Sequence, residues 1–314
     1  MPRSSATVTA AAMRRFRAAP IPQASMTRPK QTELGGCAPV VPARRRSLPR
    51  DNSYHRRVSD SPAKDFGPIR DDYAFFELHS DEAEADLAQY REPAAVLRAR
   101  GAEPLRLCDF GCGPGGFSTR FLRQLGCPPA RLQLTLVEPQ PLYRDAAAAA
   151  LAPFTARPIA AHATLPDDAH AAIDLIVANH CLYYVTGFAD VVPRLLRSLA
   201  PGGALLAAFA GRENALLRMW DACFALLGEP MPYHTAEDLD ALLSRSGRTA
   251  TGGRAQFHLR FPDSTADRWR ILRFLLAERA ARLPAAAALA LFDPYARAGH
   301  IDMPTEHRHF EVRG

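Results

Sequence analysis

Lysine is nearly absent from this 314-residue chain: Lys30 and Lys64 stand against 37 arginines. With the abundant alanine, that skew reads as a codon-composition bias rather than a functional signature. Long apolar runs are missing too. The longest, residues 285–292, is far short of the roughly 20 residues needed to cross a bilayer as a helix, which excludes a membrane-spanning protein of that kind. Cysteine is sparse and unpaired. Cys37, Cys108, Cys112, Cys127, Cys181 and Cys223 show no CxxC spacing and sit in apolar or glycine-rich surroundings. They read as reduced thiols of a cytoplasmic protein, neither a disulfide framework nor a zinc site.

What is present is an ordinary globular composition, 47% hydrophobic and 23% charged, long enough to bury a sizeable core. The net charge of +6 is unevenly spread. Residues 1–60 carry 12 basic and three acidic side chains, and the remainder carries 27 and 30. A nucleic-acid-binding body should be basic over its folded surface, and this body is slightly acidic. Residues 1–65 mix Pro, Ser, Ala and Arg without apolar periodicity and are expected to be a disordered basic tail. The first 20 are acid-free, as an organellar import signal would be. The plainer readings, a dispensable tail or an upstream start codon with Met26 as the true start, are preferred.

The folded domain is expected over residues 66–314. Tyr73, Phe76, Ala83, Leu87 and Tyr90 mark one amphipathic helix or two short ones. Strands are expected at 105–110, 132–137, 174–178 and 204–209, with helices at 117–125 and 191–199. This strand–helix alternation implies a mostly parallel sheet covered on both faces. From about residue 212 an accessory layer is expected: helices at 216–227, after Thr235-Ala-Glu-Asp238, and at 268–282, and strands at 254–261 and from Glu306 onward. No internal repeat is visible.

The most informative stretch is Leu107-Cys108-Asp109-Phe110-Gly111-Cys112-Gly113-Pro114-Gly115-Gly116. A strand runs into glycines and then into a helix, and glycine permits a tight turn and close approach of a ligand to the backbone. Gly111, Gly113 and Gly116 fit GxGxxG, the dinucleotide fingerprint. Asp109, Gly111, Gly113 and Gly115 fit DxGxGxG, the loop of class I S-adenosylmethionine (SAM)-dependent methyltransferases. The motif alone is weak, so context decides. Asp109 precedes the glycines, Glu138 closes the next strand ready to accept ribose hydroxyls, and Leu199-Ala-Pro201-Gly202-Gly203 resembles the LxPGG turn before the fifth strand of the methyltransferase fold. The expected architecture is therefore a Rossmann-like class I methyltransferase fold with a mostly parallel seven-stranded sheet.

A narrower resemblance rests on Phe76-Glu-Leu-His79-Ser80-Asp81-Glu82, Val137-Glu138-Pro139, Leu182-Tyr183-Tyr184-Val185, Trp220 and Tyr233-His-Thr235-Ala-Glu-Asp238-Leu239. These resemble the histamine N-methyltransferase family from about Asp71 onward, fading over the last 60 residues. The resemblance implies SAM as cofactor. Asp109, Gly111, Gly113, Gly115 and Glu138 would hold it, with Thr164 and Asn179 beside its adenine and methionine ends. It implies a substrate pocket at Phe76, Tyr183, Tyr184 and Trp220, with Glu82 contacting substrate. The chain departs from the family at His180, where the family has a substrate-binding glutamine, and at Glu306, near its substrate-binding asparagine.

Glu82 and His180 are the expected catalytic pair, orienting the acceptor or taking its proton. Plainer readings stand beside them. Ser80 can cap a helix whose first turn carries Asp81 and Glu82, and Trp220 can be core. His307-Arg308-His309 could suggest a metal tract, but without cysteines or a second histidine pair nearby no metal site is expected. The expected reaction is methyl transfer to a nitrogen of a small amine or imidazole. The rivals are a small-molecule O-methyltransferase, an RNA or protein methyltransferase using the tail, and a SAM-binding scaffold. The expected partner is a small molecule rather than nucleic acid or membrane, and the expected state is monomer or homodimer.

Overall fold

The computed structural model describes Lys64, residues 66–99 and residues 104–314. All of these lie within one compact unit, residues 51–314. Apart from Lys64, the basic tail expected over residues 1–65 lies outside the described residues.

Two helices come first, α1 (Arg70–His79) and α2 (Glu82–Ala99). The alternating core follows: β1 (Leu105–Phe110), α3 (Gly116–Leu125), β2 (Leu132–Val137), α4 (Pro141–Leu151), β3 (Ala160–His162), β4 (Ile173–Asn179), α5 (Phe188–Ser198) and β5 (Leu199–Phe209). The last third supplies α6 (Ala215–Leu227), α7 (Ala236–Arg245), β6 (Arg254–Pro262), α8 (Thr265–Leu276), α9 (Ala285–Ala290), β7 (Ala296–Arg297) and β8 (His300–Arg313). The sheet order is β3-β2-β1-β4-β5-β8-β6, with the two-residue β7 paired to β8. The first five strands run parallel, and β8 and β6 extend the sheet antiparallel beyond β5. The expected mostly parallel sheet is present, with the short β7 as an eighth strand.

Strands buried on both faces carry apolar residues at successive positions. In β1 and β4, Leu107, Leu175 and Val177 face the core under α2, α3 and α4, while Cys108, Phe110, Ile176 and Ala178 face the core under α5, α6 and α7. Local signals set the helix ends. Gly115 and Gly126 both adopt the left-handed conformation at the two ends of α3. The capping box at α7 forms as read, with the Asp238 carboxylate accepting the Thr235 N–H at 2.9 Å.

Two expectations are corrected. The helix expected over 268–282 stops at Leu276, because Ala277 takes φ 51° and the chain continues as a 3-10 turn. The last strand begins at His300 rather than Glu306. Its inward side, Ile301, Met303, Thr305, His307 and His309, is half polar, so the alternation is hidden from an apolar count. No helix among the described residues is long and apolar enough to cross a membrane.

Candidate active site

The carboxyl ends of β1, β2 and β4 form the edge where open parallel sheets bind ligands. After β1 the chain turns through Gly111, Gly113 and Gly115, all at positive φ (72°, 51° and 87°). Gly111 donates its N–H to Val137 O at 2.7 Å. A Cβ there would stand 2.3 Å from Cys181 Cβ, so this glycine lets the loop after β4 pack against the loop after β1. At Gly113 a Cβ would meet nothing within 4 Å, and the backbone faces open space. The Glu138 carboxylate accepts from Gly113 N at 3.1 Å and Gln140 N at 2.9 Å, which fixes it beside that space. Asp109 lies beneath the loop rather than in the cleft. It is buried with Ser118 as its side-chain partner, and burial pushes its pKa up to about 6. Thr164 is exposed on the loop after β3.

The second cluster centres on Asp86, whose side chain is fully buried. Its Oδ2 accepts from Asn179 Nδ2 at 3.0 Å and lies 3.1 Å from His180 Nε2. Its Oδ1 contacts His307 Nε2 and lies 2.9 Å from His309 Nε2. Asn179 Oδ1 accepts from the Tyr90 hydroxyl at 2.9 Å, so both ends of this amide are held by α2. His180, at φ 50°, occupies a conformation that β-carbon sterics disfavour. That turn sends its Nδ1 to the Tyr183 hydroxyl at 3.0 Å, and the same hydroxyl accepts the Ala210 N–H at 2.7 Å. Glu82 opens α2 beneath a cap from Ser80, whose hydroxyl accepts the Glu82 N–H at 3.2 Å. Its Oε1 lies 3.6 Å from His180 Nε2 and 3.7 Å from His307 Nδ1.

These neighbours set the charges. Burial opposes ionisation of Asp86, yet His180 and His307 outweigh it and hold its carboxyl well below the usual range. Burial also opposes charge on His180, but Glu82 and Asp86 prevail and raise it to about 9. Burial raises Glu82 against the pull of His180. His307 is pushed down to about 4 by burial, against Asp86.

The third cluster is an aromatic cage around the Lys64 amine. Its Nζ lies 4.7 Å from the centres of the Phe66 and Phe274 rings, 5.4 Å from Trp220 and 5.5 Å from Tyr184, and donates to Phe274 O. Phe76 stacks on Phe274 at 4.4 Å. Tyr183, packed on Tyr184 and Trp220, joins the cage to the His180 cluster. Trp220 Nε1 is buried without a hydrogen-bond partner. Burial draws the Lys64 pKa down to about 7, against the attraction of Glu278.

Residues 82–250, over half of the chain, match the sequence profile of the family described as "Methyltransferase domain". The chain belongs to this methyltransferase family. Its fold is that of the class I SAM-dependent enzymes, and the family's cofactor is SAM. The residues present fit that cofactor: a backbone cradle open at Gly113, with an anchored carboxylate, Glu138, at its rim. Similar proteins include trans-aconitate 2-methyltransferases of Paracidovorax citrulli (39% identical over 119 residues, 36% of this chain and 42% of the relative) and Streptomyces coelicolor (32% over 120 residues, 36% and 37%). This methyltransferase spans less than half the length of the curated relatives it matches. Among solved structures, the N-methyltransferase NodS of Bradyrhizobium japonicum with S-adenosyl-L-homocysteine is 15% identical with a TM-score of 0.39, covering 83% of this chain and 96% of that one. The relatives found are named for trans-aconitate, where the sequence resemblance pointed to histamine.

The structure thus brings Glu82, His180 and Asn179 into one network and sets Tyr184 and Trp220 around the Lys64 amine, with Phe76 stacked on Phe274 beside them and Tyr183 between the two clusters. It does not bring Glu306 to the site. That side chain lies on the opposite face of β8 from His307, paired with Arg254. Sequence reasoning missed Asp86, Tyr90, Phe274 and Lys64. The signal for Asp86 was its i, i+4 spacing from Glu82, which puts both on one helix face. The His307-x-His309 tract was noticed in sequence, and the fold sets a single further histidine, His180, against His307.

Proposed function

We propose that this methyltransferase transfers the SAM methyl group to the nitrogen of a small amine held in the aromatic cage. The observation that carries the reading is the Lys64 amine among four ring faces. Ring faces attract an ammonium, and a dry pocket disfavours its charge. An amine entering as a cation is thereby brought closer to losing its proton, by the same burial that draws the Lys64 pKa down to about 7. A free lone pair is what methyl transfer requires. Trp220 Nε1–H, buried without a partner, would donate to a second polar group of the acceptor.

SAM, when bound, supplies the activated methyl carbon. The chain's own residues bind and orient. Gly111, Gly113 and Gly115 shape the cradle, and Glu138 accepts the ribose hydroxyls. Glu82 and His180, linked through Asp86, hold the acceptor and take its proton at the Glu82 carboxylate. Asp109 supports the loop from below. Thr164 stands toward the adenine end and Asn179 toward the methionine end.

The relatives' acceptor, trans-aconitate, offers carboxylate oxygens instead. Ring faces carry partial negative charge, so the cage is a poor host for that anion. The test is turnover of methyl-labelled SAM with a panel of primary and secondary amines, imidazoles and trans-aconitate. Transfer to amines is expected, with Lys64→Ala lowering KM because the native side chain competes for the cage. Methylation of trans-aconitate alone would overturn the reading.

A further inference from the structure

The polar cluster behind the cage contains a gap that hydrogen bonds do not close. Glu82 Oε1 stands 3.6 Å from His180 Nε2 and 3.7 Å from His307 Nδ1, and the three ligand atoms lie within 4.8 Å of one another. Those separations are too long for hydrogen bonds. They are close to the edges of a coordination tetrahedron, about 3.3–3.4 Å when zinc-to-ligand bonds are about 2.0–2.1 Å. A second observation points the same way. His307 has no exposed side-chain surface, and its Nδ1 has no hydrogen-bond partner although it faces Glu82. A buried nitrogen left bare costs about 1–3 kcal/mol.

We propose that Glu82 Oε1, His180 Nε2 and His307 Nδ1 bind a first-row divalent cation of the Zn2+ class, with one coordination position open toward the substrate pocket. The surrounding bonds suit each ligand. A histidine bound through one ring nitrogen donates the other N–H to an oxygen, which fixes its orientation. His307 Nε2 meets Asp86 Oδ1, and His180 Nδ1 meets the Tyr183 hydroxyl. Cation binding at His180 Nε2 replaces the 3.1 Å contact of that atom with Asp86 Oδ2, while Asp86 keeps Asn179, His307 and His309 and so acts as the outer support.

A neighbouring group, Asp86 with His307 and His309, also has ligand-like spacing. It is sealed, and its contacts are already closed at hydrogen-bond distance, with His309 Nε2 at 2.9 Å from Asp86 Oδ1 and 3.1 Å from His307 Nε2. The Glu82 group instead has two ligands with partly exposed side chains, 19% for Glu82 and 18% for His180. Three protein ligands of the His2Glu kind plus an open position is the arrangement of catalytic rather than structural zinc. Imidazole and carboxylate donors without thiolate favour Zn2+ or its neighbours over copper(I). The open position would take a donor atom of the substrate beside its methylated nitrogen.

With the cation bound, Glu82 and His180 serve as its ligands rather than as direct contacts to the acceptor, while the amine reading stands on the cage; the test uses no substrate. The full chain is stripped with chelator and titrated with ZnCl2 by calorimetry, and separately with Co2+ by visible absorption. Uptake of one tight Zn2+ per chain is expected, together with a Co2+ spectrum of nitrogen and oxygen ligation. Glu82→Gln and His180→Gln should each abolish that uptake while SAM still binds, which shows that the fold is kept. No Zn2+ uptake by the wild type would overturn the proposal. So would equal uptake by both variants, or a thiolate-to-cobalt band, each of which would place the metal elsewhere.

Discussion

Gly111 and Gly113 are two positions apart and share the left-handed conformation, but the structure asks different things of them. A side chain in that conformation costs about 1–2 kcal/mol wherever it occurs. At Gly111 the added Cβ would also collide with Cys181 Cβ at 2.3 Å, and Cys181 is tied by its thiol to Phe110 O at 3.0 Å. At Gly113 the Cβ would enter open space beside Glu138. Gly111→Ala should therefore lower the folding free energy by more than about 2 kcal/mol. Gly113→Ala should cost about 1 kcal/mol of stability and weaken SAM binding disproportionately. Denaturant melts paired with SAM calorimetry on both variants check this. Loss of binding in neither variant would mean that the cradle is not the cofactor site.

At the scale of the element, the helix following the cage offers a local test. Thr235 is buried at the N-terminus of α7, with its backbone N–H held by Asp238 Oδ2 at 2.9 Å in a reciprocal capping box. Thr235→Ala should cost about 1 kcal/mol, read as a shift of the denaturation midpoint with SAM affinity unchanged. An unchanged midpoint would show the box to be dispensable. This cap was legible because it is written within four residues. So were β1, β2 and the glycine loop, whose patterns are local, apolar and periodic. The true length of β8 was not legible, since its inward positions include Thr305, His307 and His309, which count as polar. The candidate site divides on the same line. Glu82, His180 and Glu138 were found from motifs, whereas Asp86 and the contact of His180 with His307 depend on α2, β4 and β8 meeting. Residues 82, 180 and 307 share no sequence signal that joins them.

For the whole molecule, the sheet order explains that meeting. β8 enters antiparallel beside β5, and β4 lies on the other side of β5, so the loop after β4 and the inward side of β8 face one space roofed by α2. Building a ligand edge this way leaves buried ionisable groups inside the fold, and Asp109 is the clearest. Burial lifts its pKa from 3.8 to about 6, with Ser118 pulling down and Glu138 pushing up. The folded chain then binds the Asp109 proton more tightly than the unfolded chain does. Its contribution favours folding below about pH 4 and is lost as pH rises through about 6. At neutral pH the ionised side chain costs about 3 kcal/mol, roughly two pKa units at 1.36 kcal/mol each. Asp109→Asn keeps an oxygen for Ser118 and removes the charge. The variant should melt several degrees above the wild type at pH 7.5, and the gap should close as the pH is lowered to 4. Identical melting curves at pH 7.5 would mean that Asp109 carries no such penalty. A gap that widened in acid would mean that its charged form is the one the fold prefers.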